Sequence, residues 1–482
     1  MLLVFVATPI LLRHLGETDY GFWMTVMQLL GYIGLVDPGL GLQVTRSIAG
    51  ANDDRLLQRF LATAFYSQLG FAVLFLGVGW GIGPLLNRVI DLPPGGLSTY
   101  GTSYFLAVSV GACGVVTGYF VAILAGRQRL VASSLIGSIQ QTLGLAAGTL
   151  VVSLGAGLLA LPLSYLIAAL GALGVAYLLA RRHEPRLDFR LGLVSRSEFS
   201  SLAGFSGYFQ MAKVAFVVLM NTPSLVIAAE LGPAAVAVYV VTARLALTSG
   251  GLIARAASSA FPGVSELVAQ NDLAALRRVV VNIQFLAARI GLLMALVILV
   301  VNETFINLWV GPSLYGGMIL TLSVCGMVVR DAIVRTVGVV IFAEGNMRWL
   351  GWLSLVEAVM TVVLTIAFTR RLGLAGAALG PLVATTLVIS PYSFWRVAQI
   401  IGMPASALLW RGAGRAFLRT IPAFGALLIV AECLPKSLGW LWILIVGLAA
   451  VAANIAMFDL PILLRTQRQE WSQRFHALFE AH

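Results

Sequence analysis

Five basic side chains lie inside stretches of the chain that are otherwise apolar: Arg244, Lys213, Arg330, Arg335 and Arg289. A cation at the centre of a bilayer costs about 2.5–3.5 kcal/mol on insertion scales, so it needs a water-filled cavity or an acidic partner. An arginine fork also binds two phosphate oxygens at once, which lysine cannot do. The pattern therefore predicts a cationic cavity whose five basic residues bind an anionic substrate.

Three acids are placed to act as counter-ions or to couple ion movement to transport: Asp331, Glu357 and Asp37. Asp331 adjoins Arg330, so an internal ion pair that fixes helix register is an alternative interpretation for both residues. Arg289 is near enough to a membrane surface for its head group to reach water. These alternatives stay open, but the cations outnumber the acids and favour a substrate of negative charge.

Other kinds of site are not indicated by the sequence. The four histidines and three cysteines have no metal-ligand spacing, and "GVGWGIG" from Gly77 lacks the Lys-Ser/Thr of a phosphate-binding loop. A membrane-bound glycan polymerase or ligase would need a sizeable outer loop with catalytic Arg or His, and the outer loops here are short. We therefore predict no catalytic residue, no metal site and no cofactor, and a protein that is not an enzyme.

The composition places these residues in a polytopic membrane protein. Of the 482 residues, 59% are hydrophobic and 11% are charged, and the mean hydropathy is +0.94. A soluble protein averages about 25% charged residues. The net charge of +11 does not indicate nucleic-acid binding, because the basic residues cluster at the ends of apolar runs rather than on one soluble face.

Fourteen apolar runs predict an all-α protein with about fourteen transmembrane helices. The first run, 1–12, is too short to span a bilayer, which takes about 20 residues. Its sequence begins in the middle of a helix, so we expect a native chain with a few more residues. The other runs are 20–42, 60–86, 102–125, 133–154, 157–180, 203–229, 234–258, 279–301, 316–343, 349–368, 374–396, 416–433 and 438–460.

The basic residues also predict the orientation. They follow the even-numbered runs, for example Arg127 after the fourth and Arg181 after the sixth, and the pair Arg370 and Arg371 is the exception. By the positive-inside rule, these ends and both termini face the cytoplasm, and the chain lies in the cell (inner) membrane. The tail, 461–482, has aromatic residues at helical spacing with arginines between them, which predicts an amphipathic helix at the membrane surface.

An internal repeat underlies the order of the runs. Pairs of similar segments lie 219 positions apart, and one further pair, at Pro9 and Pro223, lies 214 apart. The pairs at the common offset centre on Asp53 with Asp272, Gly126 with Gly345, and Pro162 with Pro381. The unit holds six runs, an even number, so both copies enter the membrane in the same direction. This predicts two parallel six-helix lobes related by an axis along the membrane normal, with a site at their interface.

The predicted domains follow from this repeat. The N-lobe, helices 1–6, covers 1–180, a cytoplasmic linker covers 181–202, and the C-lobe, helices 7–12, covers 203–396. Helices 13 and 14 occupy 397–460 and lie outside the repeat, and 461–482 is the cytoplasmic tail.

Two stretches resemble a known family: "LGETDYGFW…LGYIGLVDPGLG" and "LGPAAVAVYVVTARLAL…SSAFPGVSELVAQNDLAALRRV". They are similar to the polysaccharide flippases of the MATE-like (multidrug/oligosaccharidyl-lipid/polysaccharide) superfamily, with Wzx-type O-antigen translocases as the nearest match. The resemblance runs from about Pro9 to the final run, although the short first helix departs from the family pattern.

The resemblance implies alternating-access transport of a polyprenyl-pyrophosphate-linked oligosaccharide for cell-surface polysaccharide synthesis. The implied partners are that glycan, membrane lipids, and a glycan polymerase or synthesis complex, with no nucleic acid. The alternative is an ion-coupled multidrug or metabolite exporter of the same fold, which should have an unpaired acid in the first lobe, where the sequence offers little.

Overall fold

The computed structural model describes residues 2–37, 39–49, 53–86, 96–203, 207–345 and 348–458, and within them the chain is helical, with no strand. The α-helices are α1 (Leu2–Ile33), α2 (Leu40–Ala49), α3 (Asp54–Ile82), α4 (Gly96–Gly126), α5 (Leu130–Ser153), α6 (Ala160–His183), α7 (Arg196–Ala203), α8 (Gly207–Glu230), α9 (Pro233–Thr242), α10 (Arg244–Ser259), α11 (Phe261–Ala269), α12 (Leu273–Trp309), α13 (Met318–Glu344), α14 (Arg348–Leu372), α15 (Leu374–Ile400), α16 (Ala405–Leu409), α17 (Arg415–Cys433) and α18 (Trp440–Phe458). Short 3-10 turns occupy Gly34–Val36, Gly83–Leu85, Leu191–Leu193, Pro312–Leu314 and Lys436–Leu438, and a π-helix occupies Trp410–Gly414. The predicted tail helix, 461–482, lies outside the described residues.

The helices confirm the polytopic membrane class. In the described part of the chain, ten helices are long and apolar enough to cross a membrane, or up to twelve if two pairs bent by 56° each form one span. The prediction of fourteen is larger for two reasons. The run 1–12 is too short to span a membrane. Helix α13 is long enough, but Arg330, Asp331 and Arg335 near its middle make it too polar to count as an apolar span.

Gly16 divides the first long helix. The first two predicted apolar runs both fall in or just beyond α1, and Gly16 interrupts the helix with φ 79° and ψ 174°. The left-handed region is accessible to glycine because glycine has no Cβ atom. The short first run and the second run are therefore separate helical segments that meet at Gly16.

The repeat predicted from sequence has matching local structure in both halves. Asp53 begins α3, where its carboxylate accepts hydrogen bonds from the backbone N–H groups of Arg55 and Leu56. Asp272 begins α12 and accepts from the N–H of Ala275 at 2.9 Å. Side-chain caps of this kind satisfy donors that the first helical turn leaves free. The repeated aspartate, Asp53 and Asp272, thus caps the start of a long helix twice.

The chain divides into two compact units. Unit 1 comprises Met1–Val240 and Arg348–Pro381, and unit 2 comprises Val241–Met347 and Leu382–His482. In unit 1, α2, α3, α4 and α6 share an apolar core, and α14 packs on α8. In unit 2, α12 packs on α13, α17 and α18. The predicted lobes follow the sequence repeat rather than this packing, and their boundaries stay a prediction.

Candidate functional site

Helix α10 has one apolar buried face and one basic face. Ala246, Ile253 and Ala257 are its buried residues, and their spacing places them on one side of the helix. Arg244, which is half-buried, and Arg255, which is exposed, are 11 residues apart, about three turns, so both lie on the opposite side. The packing of α10 therefore directs two arginines away from the core of unit 2.

Helix α13 carries an arginine–aspartate–arginine group, which we call the Asp331 group. Arg330 Nη2 lies 3.1 Å from Asp331 Oδ1, and Arg335 donates from Nε and Nη2 to Asp331 Oδ2 at 3.2 Å. The exposed fractions of the side chains are 9% for Arg330, 16% for Asp331 and 33% for Arg335. The structure thus brings together three of the predicted site residues, and one carboxylate serves two guanidinium groups.

The basic helix and the Asp331 group are neighbours in unit 2. Helices α10 and α13 pack against each other, and a Cβ atom built on Gly250 of α10 would lie 3.8 Å from Asp331 Oδ2. The structure describes both helices in full. They carry four arginines against Asp331 and Glu344, and Glu344 is paired with Arg396. A net positive charge therefore remains on this pair of helices.

The break before Arg244 has its own polar support. Helix α9 ends at Thr242 and α10 begins at Arg244, with a bend of 56° between them. Asn302 Nδ2 donates to the carbonyl of Thr242 at 3.1 Å, and the Thr242 hydroxyl donates to the carbonyl of Leu314 at 3.1 Å. These contacts satisfy polar groups at the break, as an interrupted helix at membrane depth requires.

Lys213 contacts Asp37 in unit 1, but it binds the backbone carbonyl of Asp37 rather than its carboxylate. Lys213 Nζ donates to the carbonyl oxygen of Asp37 at 2.7 Å. The Asp37 carboxylate accepts instead from the N–H of Gly39 at 3.0 Å, and Gly39 has a φ of 83°. Lys213 thus supports the break between α1 and α2, and its predicted role in substrate binding stays a prediction.

Arg289 contacts a neutral partner in the C-terminal helix. Its Nε donates to Asn454 Oδ1 at 2.7 Å, and its guanidinium carbon lies 4.7 Å from the centre of the Phe458 ring. Both contacts join α12 to α18. Helix packing therefore accounts for this position of Arg289, and its predicted contact with substrate is untested.

Glu357 lies in the interior of unit 1. It is 5% exposed and belongs to a buried polar face of α14. That face also contains Ser354, Thr361, Thr365 and Thr369. The neighbouring Ala358 packs on Ala215 and Val218 of α8. The protein thus buries one of the three predicted acids deeply, whereas the Asp331 carboxylate keeps some contact with solvent.

A second arginine–carboxylate group, which the sequence did not reveal, joins three segments of unit 1. We call it the Glu184 group. Glu184 is 0% exposed and accepts from Arg127 Nε at 2.8 Å and from Arg186 Nε at 2.9 Å. Arg186 is also paired with Asp54. Arg255 was likewise missed, although its spacing of 11 residues from Arg244 was the available signal.

The family can now be assigned. The model of the "Polysaccharide biosynthesis protein" family matches residues 1–268 of the chain. A search of curated proteins found no match to the chain.

Solved structures establish the fold. A structure of the lipid II flippase MurJ in an inward closed conformation has a TM-score of 0.70 at 12% identity and covers 97% of each chain. An outward-facing multidrug resistance MATE family transporter of the MOP superfamily has a TM-score of 0.56 at 16% identity, over 83% of this chain and 93% of that one. A MOP superfamily transporter from Pyrococcus furiosus has a TM-score of 0.55 at 15% identity, over 84% and 91%. The chain is a multi-pass membrane protein with this transporter fold and belongs to the polysaccharide biosynthesis protein family.

Proposed function

We propose that the chain translocates a polyprenyl-pyrophosphate-linked oligosaccharide across the cytoplasmic membrane by alternating access, for cell-surface polysaccharide synthesis. The observation that carries the proposal is the basic character of α10 and α13, two packed helices that carry four arginines, Arg244, Arg255, Arg330 and Arg335, and two acids, of which Glu344 is paired with Arg396. A pyrophosphate supplies the opposite charge. The family assignment and the similarity to a lipid II flippase support the same class of substrate.

Each residue has a distinct role in this proposal. Arg244 binds the pyrophosphate through its fork, and Arg330 and Arg335 share the charge while Asp331 holds their guanidinium groups in place. Lys213 and Arg289 are the weaker candidates for substrate contact, because they bind a carbonyl and an amide respectively. Glu357 is the acid best placed for coupling, because it is buried within a membrane helix, where ionisable residues often relay protons.

The alternative is an ion-coupled multidrug or metabolite exporter of the same fold, which the likeness to MATE transporters also fits. A cationic drug would be repelled by the surplus arginines, so their charge favours the anionic glycan lipid. The protein acts as a transporter and not as an enzyme in this proposal, and a glycan polymerase or synthesis complex would receive its product.

Transport measured in proteoliposomes tests the two functions directly. The purified full chain is reconstituted with a fluorescent polyprenyl-pyrophosphate oligosaccharide, and its arrival in the opposite leaflet is followed by quenching from outside. Ethidium efflux from the same vesicles serves as the drug assay. We expect movement of the glycan lipid and no ethidium efflux, and the reverse result would establish the exporter.

The proposed orientation has its own test. Reporter fusions at Pro312 and at Arg190 should report the periplasmic and the cytoplasmic side respectively, with both termini in the cytoplasm. The same side for both fusions would overturn the assigned topology.

A further inference from the structure

An open apolar groove of about 560 Å³ lies in unit 1. One wall is α3, where the lining residues run from Thr63 to Leu74 at helical spacing. The other wall is the segment that leads into α7 and includes Val194, Arg196 and Phe199. The exposed residues Leu74, Val194 and Phe199 are large and apolar, so the groove presents a surface suited to a hydrocarbon chain.

Polar contacts fasten the second wall to α3. The N–H of Ser195 donates to Thr63 Oγ1 at 3.0 Å, and Arg59 Nη2 donates to Ser195 Oγ at 3.2 Å. Tyr66 donates from its hydroxyl to the carbonyl of Phe189 at 2.6 Å. Hydrogen bonds of the lining residues Thr63, Tyr66 and Ser195 thus hold the segment beside α3 and fix the two walls of the groove.

Gly70 is the glycine in the α3 wall of the groove. It lines the groove, and a Cβ atom built on it would meet nothing within 4 Å. A larger residue here would project into the groove without disturbing the helices. Gly77 on the same helix is also exposed, also has open space around a built Cβ atom, and does not line the groove.

The length of the groove matches one membrane leaflet. The lining residues of α3 span 11 positions, about 16 Å of helix, and half of the bilayer hydrocarbon core is about 15 Å. This length suits the acyl chain of an ordinary phospholipid, whereas a polyprenyl carrier is considerably longer. The positive-inside rule assigns the basic end of α3 to the cytoplasmic side, so the leaflet is the inner one.

One end of the groove is cationic. Arg196 lines it and is exposed, and Arg59 stands beside Ser195 at the same end. Glu198, in the first turn of α7, is the acid on this segment, while the neighbouring Asp188 is already paired with Arg190 at 3.6 Å. A lipid phosphate at this end would meet Arg196 while its acyl chain follows α3.

We propose that this groove binds an anionic phospholipid of the inner leaflet, with an acyl chain along α3 and its head group at Arg196. This lipid is distinct from the transported substrate and would bind at a separate place in the protein.

Native mass spectrometry of the purified full chain, titrated with palmitoyl-oleoyl phosphatidylglycerol, tests the proposal. The quantity measured is the dissociation constant of the lipid that binds most tightly. Gly70→Leu should weaken binding of this lipid at least about tenfold, because the leucine side chain fills the groove. Arg196→Gln should weaken it about fivefold, because one cation is lost from the head-group end. Gly77→Leu and Arg182→Gln are the matched controls and should change binding by less than about twofold, because Arg182 is exposed and does not line the groove. The two glycine substitutions raise helix propensity equally, so their difference reports on the groove.

Lipid chemistry distinguishes the possible occupants. Phosphatidylcholine should bind the wild-type protein more weakly than phosphatidylglycerol, and Arg196→Gln should remove that preference. Equal weakening in the groove variants and their controls would overturn the proposal, as would equal binding of the two lipids. Tighter, Gly70-dependent binding of a polyprenyl phosphate would assign the groove to the carrier lipid instead. None of these outcomes changes the expected transport of the glycan lipid in vesicles.

Discussion

The Glu184 group of unit 1 and the Asp331 group of unit 2 both combine arginine side chains with carboxylates, but the ratio of arginines to acids differs. In each, one carboxylate forms ion pairs with two arginines. Around Glu184 the charges balance, because Asp54 is a second acid on Arg186 and the carboxylate is 0% exposed. Around Asp331 the charges do not balance, because two arginines share one carboxylate, and that carboxylate is 16% exposed.

The difference separates a structural ion pair from a candidate binding site. A balanced group around a fully buried carboxylate holds segments of the chain together, and the protein loses stability when that carboxylate is removed. A group with excess charge and access to solvent can exchange one counter-ion for another, which a transporter of an anion requires. An acid that contacts two arginines therefore does not by itself distinguish a binding site from a structural ion pair. The other charges nearby must be counted as well.

The largest effect is expected from Glu184→Gln. Loss of the buried carboxylate leaves Arg127 without its acid, so the protein should lose about 3–5 kcal/mol of stability. Thermal unfolding of the purified protein and its abundance in membranes measure this. Asp188→Asn is the matched control, because its partner Arg190 is exposed and such pairs contribute about 0–1 kcal/mol. An unchanged melting temperature in Glu184→Gln would show that the group has no structural value.

Arg244 should affect transport rather than stability. Arg244→Ala is expected to lower glycan-lipid transport about a hundredfold, because a charged contact to the pyrophosphate is lost. Arg244→Lys keeps the charge without the fork and should lower it about tenfold. Both variants should reach the membrane in normal amounts.

The opposing interpretation pairs Arg244 with a buried acid such as Glu357. It predicts low abundance in Arg244→Ala and recovery in the double variant with Glu357→Gln. That recovery would contradict the binding role, and full transport in Arg244→Ala would exclude both interpretations.

Asp331→Asn sharpens the comparison with Glu184. Because the Asp331 carboxylate is 16% exposed whereas Glu184 is 0% exposed, the stability loss should be about 1–2 kcal/mol, smaller than in Glu184→Gln. Paired thermal unfolding of the two amide variants measures the difference. A loss in Asp331→Asn as large as that in Glu184→Gln would make the Asp331 group a structural element like the other.

Arg255→Gln is expected to have the smallest effect. The residue is exposed, so its contribution is long-range attraction, and transport should fall about fivefold at low salt with the loss fading at high salt. Initial rates at two ionic strengths measure it. A loss independent of salt would instead place Arg255 in direct contact with the substrate.

The sequence predicted features that depend on local pattern. Apolar runs of sufficient length became helices, and the repeated aspartates Asp53 and Asp272 became helix caps, because both signals act within a few residues. The unusual charge of α13 was also visible, since Asp331 and Arg335 are four residues apart on one helix face.

The remaining contacts join residues that are distant in the chain. Arg289 meets Asn454 across 165 positions, and Arg127 meets Glu184 across 57. Lys213 binds a backbone carbonyl, which every residue possesses, so no side-chain pattern marks its partner. Glu184 lies in the predicted cytoplasmic linker, which is rich in arginine. Its burial could not be predicted from the sequence, because burial depends on the folded chain.

The break between α9 and α10 also has an electrical consequence. A helix concentrates about half a positive charge at its first turn and half a negative charge at its last. Asn302 donates to the last carbonyl of α9 and thereby offsets the negative end. The positive end of α10 begins at Arg244 itself, so backbone and side chain present their charge at the same place. An anion that reaches this point is therefore attracted by the start of the helix even when residue 244 is neutral, and some affinity should persist there.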